Sequence, residues 1–196
     1  MPKLIGLTGG IASGKSTIAN MIRNLKLPLL DSDQIAREVM LQTTILDEIK
    51  DTFGKEVFDD KGKLSRKTLA HIIYKDEEAR KKLNQIVHPH VRTKILEQIE
   101  EEYRQEDFVF VDVPLLYESG FDQLMDQVIV VYVPKEVQLS RLINRDHIDE
   151  SYALQKINAQ EDLESKIKKA DYMIDNRHSV DYSNKQLLQV LEEIGV

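Results

Sequence analysis

Two hydrophobic patterns alternate along this chain. Lys3 to Thr8, Leu27-Pro28-Leu29-Leu30, Asp107 to Asp112, Gln127 to Val133 and Tyr172 to Asp175 are short, nearly continuous apolar blocks. Blocks of that length predict strands. Asp107-Phe-Val-Phe-Val-Asp112 and Gln127-Val-Ile-Val-Val-Tyr-Val133 are so uniformly apolar that both faces must be covered by helices, which is the signature of a parallel sheet. Between the blocks, apolar residues recur at helical spacing: Ile18, Met21, Ile22 and Leu25, then Ile35, Ala36, Val39 and Met40, and finally Leu187, Leu188, Leu191 and Ile194. The second of these helices takes Asp33 or Ser32 as its N-cap. From Thr43 to Tyr103 the pattern is helical and charged, broken at Phe53-Gly54 and Asp59-Asp60-Lys61-Gly62, and Lys135 to Ala170 is helical too. The reading is an α/β core made of residues 1–42, 104–134 and 171–196, with helical insertions at 43–103 and 135–170.

The turn after the first block reads Gly9-Gly10-Ile11-Ala12-Ser13-Gly14-Lys15-Ser16. It matches G-x-x-x-x-G-K-[ST], the P-loop pattern, for which roughly 0.003 chance matches are expected at this chain's residue frequencies. Its place after a strand and at the head of a helix is where backbone N–H groups and the positive helix end converge on phosphate. Gly9 and Gly14 permit the tight turn, Lys15 reaches the β- and γ-phosphates, and the Ser16 hydroxyl is placed to ligate Mg²⁺ together with waters. The fold class is thus an α/β, P-loop NTPase/kinase-type parallel sheet of about five strands, with the first strand between those leading to Asp33 and Asp112.

A phosphate cradle alone leaves the reaction open among nucleotide-gated switches, kinases of several hydroxyl acceptors and nucleotide-binding regulators. A guanine switch is disfavoured: Asp112-Val-Pro-Leu has no glycine at D-x-x-G spacing, and Asn184-Lys185 continues as Gln-Leu, not as N-K-x-D. Net charge is −7, which argues against a nucleic-acid partner held by a general positive field. The charge is uneven, however. Between Lys61 and Lys94 ten Lys/Arg face three acids, a basic stretch that is either a solvated surface or an attractor for an acceptor's pyrophosphate. No cysteine is present, which excludes a thiol nucleophile and fits a reducing, cytoplasmic setting. No apolar run is long enough for a signal core or a membrane span.

The run Leu7-Thr-Gly-Gly-Ile-Ala-Ser-Gly-Lys-Ser-Thr17 is joined by Asp31-Ser-Asp33-Gln-Ile-Ala-Arg37, His88-Pro89 and Asp112-Val-Pro-Leu-Leu-Tyr-Glu118. Gln138-x-x-Arg141-x-x-x-Arg145 and Ala170-Asp-Tyr-Met-Ile-Asp-Asn176 follow. In that order, over nearly the whole chain, these motifs closely resemble the dephospho-CoA kinase family. The resemblance implies ATP-dependent phosphorylation of the ribose 3′-hydroxyl of dephospho-CoA, the last step of CoA synthesis, with Mg²⁺. It makes 43–103 the helical CoA domain and 135–170 a mobile lid, and a monomer is the expected state. It implies an ATP site of Gly10, Ile11, Ala12, Ser13, Gly14, Lys15, Ser16, Thr17, Arg141, Arg145 and Asn176. It also implies an acceptor site of Asp33, Arg37, His88, Asp112 and Leu115, with Asp33, Lys15 and Arg141 as the catalytic group.

The residues themselves say less. Arg141 and Arg145, four apart, share a helix face that could equally be solvated. Asp112 could be a strand-end turn residue, and His88-Pro89 a helix start with Pro89 at the first position. Asp31 and Asp33 point the same way by two-residue alternation; only the resemblance selects the second. The chain departs from the family at Lys156, where arginine is common, and at Arg177-His178, where a glycine is.

Overall fold

The computed structural model describes residues 2–196, which divide into two compact units: 2–31 with 99–196, and 32–98. In the first unit a parallel sheet holds β1 (Lys3–Gly9), β2 (Leu29–Asp31), β3 (Phe108–Asp112), β4 (Gln127–Tyr132) and β5 (Tyr172–Asp175), in the order β2-β3-β1-β4-β5. All pairings are parallel, with Leu7 opposite Asp112, Gly9 opposite Val131 and Asp31 opposite Asp112. The carboxyl ends of these strands therefore lie along one edge, the edge at which ligands gather in such sheets.

The strand order corrects the sequence reading. β1 lies between β3 and β4, and β2 is the edge strand beyond β3. Burial gives the reason: β3 buries four of its five residues and needs a neighbour on each side, whereas β2 is three residues long with both ends half-exposed. The main core packs Ile5, Leu7, Phe110, Ile129, Val131 and Ile174 from the sheet against helix α1 (Lys15–Asn24) and the C-terminal helix, each such side chain contributing about 1.5–3 kcal/mol.

The second unit begins with α2 (Ser32–Val39), followed by α3 (Thr43–Phe53), a 3₁₀ turn at Lys55–Val57, α4 (Arg66–Lys75) and most of α5 (Glu77–Glu102). It starts at residue 32 and closes at 98, where the sequence pattern placed the insertion at 43–103. Because α2 begins at Ser32, Ser32 and Asp33 are inside its first turn and neither is its N-cap. His88-Pro89 is likewise not a helix start: α5 runs through Pro89 for 26 residues. Ala79, Leu83, Val87, Val91, Ile95 and Ile99 are all buried, one every four residues on both sides of the proline. That continuous stripe outweighs a break costing about 3 kcal/mol.

The remaining helices belong to the first unit: α6 (Lys135–Asp146), α7 (Glu150–Asn158), α8 (Leu163–Lys169) and α9 (Val180–Ile194). Short polar side chains start three of them. Asp149, Asp162 and Ser179 accept hydrogen bonds from the N–H groups of Tyr152, Ser165 and Tyr182, respectively. Among the described residues no helix is long and apolar enough to cross a membrane.

Candidate active site

The phosphate-loop motif forms the turn from β1 into α1. Gly14 caps α1 with φ +88°, a left-handed conformation that favours glycine, and a Cβ there would collide with the Asn176 amide. Ala12 is also left-handed, at φ +59°, a strained setting for a residue with a side chain. The loop opens into a cleft of about 570 Å³ whose walls include Gly10, Lys15, Ser16, Thr17, Arg141, Arg145, Asn176 and His178. The two arginines that the resemblance assigns to the ATP site thus face the same space as the loop lysine.

Lys15 is bound to Asp112 at the end of β3. Burial pushes the Asp112 carboxyl up, and the Lys15 ammonium only partly offsets it; the neighbouring Asp31 adds to the upward push. Asp112 is therefore more than a turn residue: it fixes the lysine at the strand edge. Pro114 lines the cleft, and its carbonyl accepts a hydrogen bond from the Thr8 hydroxyl at 3.2 Å. Leu115, next in sequence, is exposed.

Arg141 donates from Nη2 to the Asn176 carbonyl at 2.8 Å. The Asn176 side chain is committed to the protein: Nδ2 donates to the Ser13 carbonyl at 2.8 Å and Oδ1 accepts from the Ser183 hydroxyl at 2.7 Å. Asn176 thereby ties the loop to β5 and α9. Arg145 lies one turn beyond Arg141 and pairs with Asp146 at 2.8 Å. Lys156, one departure from the family pattern, reaches the same carboxylate at 3.2 Å, and hydrogen bonds from the two cations hold the Asp146 carboxyl down at about 2. At the other departure, Arg177 is locked onto Asp175 at 2.7 Å, while His178 meets the Tyr182 ring edge-on at 5.0 Å.

Asp33, Arg37 and His88 belong to the second unit. Asp33 and Arg37 are both exposed and four residues apart on α2, so they share one face. His88 is half-buried in α5, and burial, then the Arg92 charge, hold its imidazole below the usual histidine range. In the basic stretch Lys81 is already engaged by Glu77 and Glu78, at 3.7 and 2.8 Å.

Sequence reasoning missed three side chains that hold the loop: Gln160, Lys166 and, except as part of a spacing motif, Gln138. Gln138 precedes Arg141 by three residues on α6, so the helix face that points to the arginines also points to it. Lys166 is fully buried on α8, with Nζ 2.9 Å from Glu118 Oε1 and 3.4 Å from the Gly9 carbonyl. No local pattern marks it.

The comparisons with known proteins agree with this geometry. The model of the dephospho-CoA kinase family matches residues 3–181. The dephospho-CoA kinase of Bacillus licheniformis is 45% identical over 194 residues, covering 98% of this chain and 96% of that protein. A solved structure from Thermus thermophilus superposes with a TM-score of 0.87 at 30% identity, over 100% of this chain and 98% of the other. A solved dephospho-CoA kinase from Campylobacter jejuni gives 0.74 at 32% identity, over 99% and 98%. Motif order, sheet, loop geometry and full-length similarity place this chain in the dephospho-CoA kinase family, whose members phosphorylate dephospho-CoA to CoA at the expense of ATP.

Proposed function

We propose that this chain transfers the γ-phosphoryl group of ATP to the ribose 3′-hydroxyl of dephospho-CoA, in the cytoplasm. The observation that carries the reading is the single cleft into which the phosphate loop, Lys15, Ser16 and the Arg141–Arg145 face all open. Phosphoryl transfer asks the protein for position and for positive charge where negative charge spreads, and those groups supply both. The 3′-oxygen attacks the γ-phosphorus in line, the bond to the β–γ bridging oxygen breaks, ADP leaves, and the hydroxyl proton passes to Asp33. Lys15, steered by Asp112, stabilises charge at the β- and γ-phosphates. Arg37, His88, Asp112 and Leu115 are the acceptor-side contacts.

The donor set suits Mg²⁺. Ser16 offers an exposed hydroxyl oxygen at the head of α1, beside a strand edge carrying Asp31 and Asp112. Among the described residues no group of three or more His, Cys, Asp or Glu could hold a metal ion, and Mg²⁺ characteristically relies on few protein oxygens, with waters and substrate phosphates completing its shell. Ser16 would hold it, and when bound it neutralises phosphate charge.

The test is acceptor-dependent ADP release with dephospho-CoA beside shikimate, gluconate and nucleosides. Turnover confined to dephospho-CoA is expected; ATP binding without acceptor-dependent ADP release would overturn the reading in favour of a nucleotide-binding regulator.

Two further outcomes are expected. Arg141→Ala and Arg145→Ala should each lower kcat more than they weaken ATP binding measured without acceptor. If both only raised the KM for ATP, the arginines would supply uniform binding and no transition-state stabilisation. If the basic stretch draws in the acceptor, replacing Lys81 and Lys82 with alanine should raise the dephospho-CoA KM severalfold at low salt, leave the ATP KM alone, and lose its effect as salt rises. Lys82 should carry the larger share, since Lys81 is partly neutralised by its glutamates. An unchanged acceptor KM at low salt assigns both lysines to solvated surface.

A further inference from the structure

The two peptide groups flanking Ile11, at the crown of the phosphate loop, are each held by a glutamine from the helical segment that carries the cleft arginines. The Ile11 N–H donates to Gln160 Oε1 at 2.8 Å, and the Ile11 carbonyl accepts from Gln138 Nε2 at 2.7 Å. The polarity of both amides is fixed by the backbone, since an N–H must meet the oxygen and a carbonyl must meet the nitrogen. Gln138 is 5% exposed, and Gly10 makes room for it: a Cβ on Gly10 would stand 2.6 Å from Gln138 Nε2. The side chains of Ile11 and Ala12 pack on a small apolar cluster of Leu142, Ala153 and Ile157 from α6 and α7. Immediately after the clamped peptides comes Ala12, in its left-handed conformation.

We propose that Gln138 and Gln160 are positioning residues for phosphoryl transfer. By holding the Ile11 peptides from the donor and the acceptor side, they keep the strained turn at Ala12 in place. The N–H groups from Gly14 to Ser16 are thereby aimed at the nucleotide's terminal phosphates, while the Ser13 N–H is spent within the turn on the Gly10 carbonyl at 3.1 Å. Arg141 lies on the same face of α6 as Gln138, so the clamp also sets the arginine's distance to the loop. The inference rests on the reading of the loop as a phosphate cradle, and it adds two residues that touch no reacting atom. Strain that is over-determined by surrounding hydrogen bonds persists; once they are removed, the crown relaxes and preorganisation is lost.

The two glutamines have opposite polarity toward the same residue, which gives a test that a packing role would not satisfy. Gln160→Glu keeps an acceptor for the Ile11 N–H, whereas Gln138→Glu sets a carboxylate against the Ile11 carbonyl. Both add one negative charge beside the same residue, but Gln138 is buried while Gln160 is partly exposed and lines the cleft, so each glutamate variant is read against the leucine variant at its own position. The full-length chain and the four variants Gln138→Glu, Gln138→Leu, Gln160→Glu and Gln160→Leu are titrated with ADP and with AMP in a calorimeter, without acceptor, and then assayed for kcat with dephospho-CoA. Gln138→Leu, Gln138→Glu and Gln160→Leu are expected to lose about tenfold in ADP affinity and in kcat with AMP affinity little changed, and Gln160→Glu to recover most of what Gln160→Leu loses. Equal behaviour of the two glutamate variants relative to their leucine counterparts, or parallel losses for ADP and AMP, would overturn the clamp. The nucleotide titrations need no acceptor, so inactivity of the unmodified chain toward dephospho-CoA would count against the proposed acceptor and leave the clamp result standing.

Discussion

Lys15→Ala should abolish measurable phosphotransfer, with a loss of at least roughly a hundredfold in kcat, and still yield a folded protein. The loop's backbone N–H groups remain, so nucleotide binding weakens less than turnover. What disappears is the one flexible charge that the strand edge delivers to the β- and γ-phosphates. The fold survives because of what happens to Asp112. Burial already raises its carboxyl despite the lysine, and without that cation the acid takes up a proton more readily. A carboxyl whose folded-state pKa lies above its unfolded value is most compatible with the native state at low pH. Its effect turns unfavourable as pH rises above the unfolded-state value and is complete once the folded-state value is passed. Across the interval between those two values, thermal melts of Lys15→Ala should therefore fall with rising pH more steeply than those of the unmodified chain. A folded variant turning over at near-normal rate would refute the assignment of the loop.

The second large effect is expected at Asp33. Asp33→Asn should keep the fold and bind both substrates yet lose most of its kcat, because asparagine matches the carboxylate's shape without its basicity. Asp33 lies exposed in the first turn of α2, where its charge also favours the helix end, a contribution of about 0.3–1 kcal/mol that asparagine forfeits. Asp31 remains its competitor. Asp31 is the last residue of β2, level with Asp112 and 3.7 Å from Arg23, which makes it part of the sheet-edge charge balance. Steady-state kinetics on both asparagine variants decide the matter: wild-type kcat in Asp33→Asn with inactive Asp31→Asn would move the proton acceptor to Asp31.

What could be read from the residues divides along a physical line. Strands β3 and β4 announce themselves because a doubly covered strand must be apolar throughout, β1 and β5 only as short apolar blocks, with Met173 of β5 exposed, and the phosphate loop because its turn tolerates few residue types. Strand order is not local: nothing within Leu29–Asp31 reveals which neighbour it pairs with, and only its shortness hints at an edge. Pro89 misleads for a similar reason, since its helix-breaking tendency is local while the stripe from Ala79 to Ile99 that overrides it is collective. Lys15 is marked by the loop motif, whereas Arg141, Arg145 and Asn176 stand out only through the family resemblance. Gln160 and Lys166 carry no mark, because an amide or ammonium that holds a backbone group more than a hundred residues away looks like any other polar residue on a helix.

Those distances in sequence bear on when the protein becomes able to bind nucleotide as it is made. The loop is complete once Thr17 has been synthesised, but its supports come from residues 127, 149, 157 and 163 positions further on: Gln138 and Gln160 at Ile11, Lys166 at Gly9, and Asn176 at Ser13. Contacts so distant along the chain are costly in closure entropy and form late. A nascent chain therefore carries its most recognisable motif well before the scaffold that gives the motif its shape. Competence to hold a triphosphate arrives only once β5 and α9, which carry the most distant of these supports, have been made.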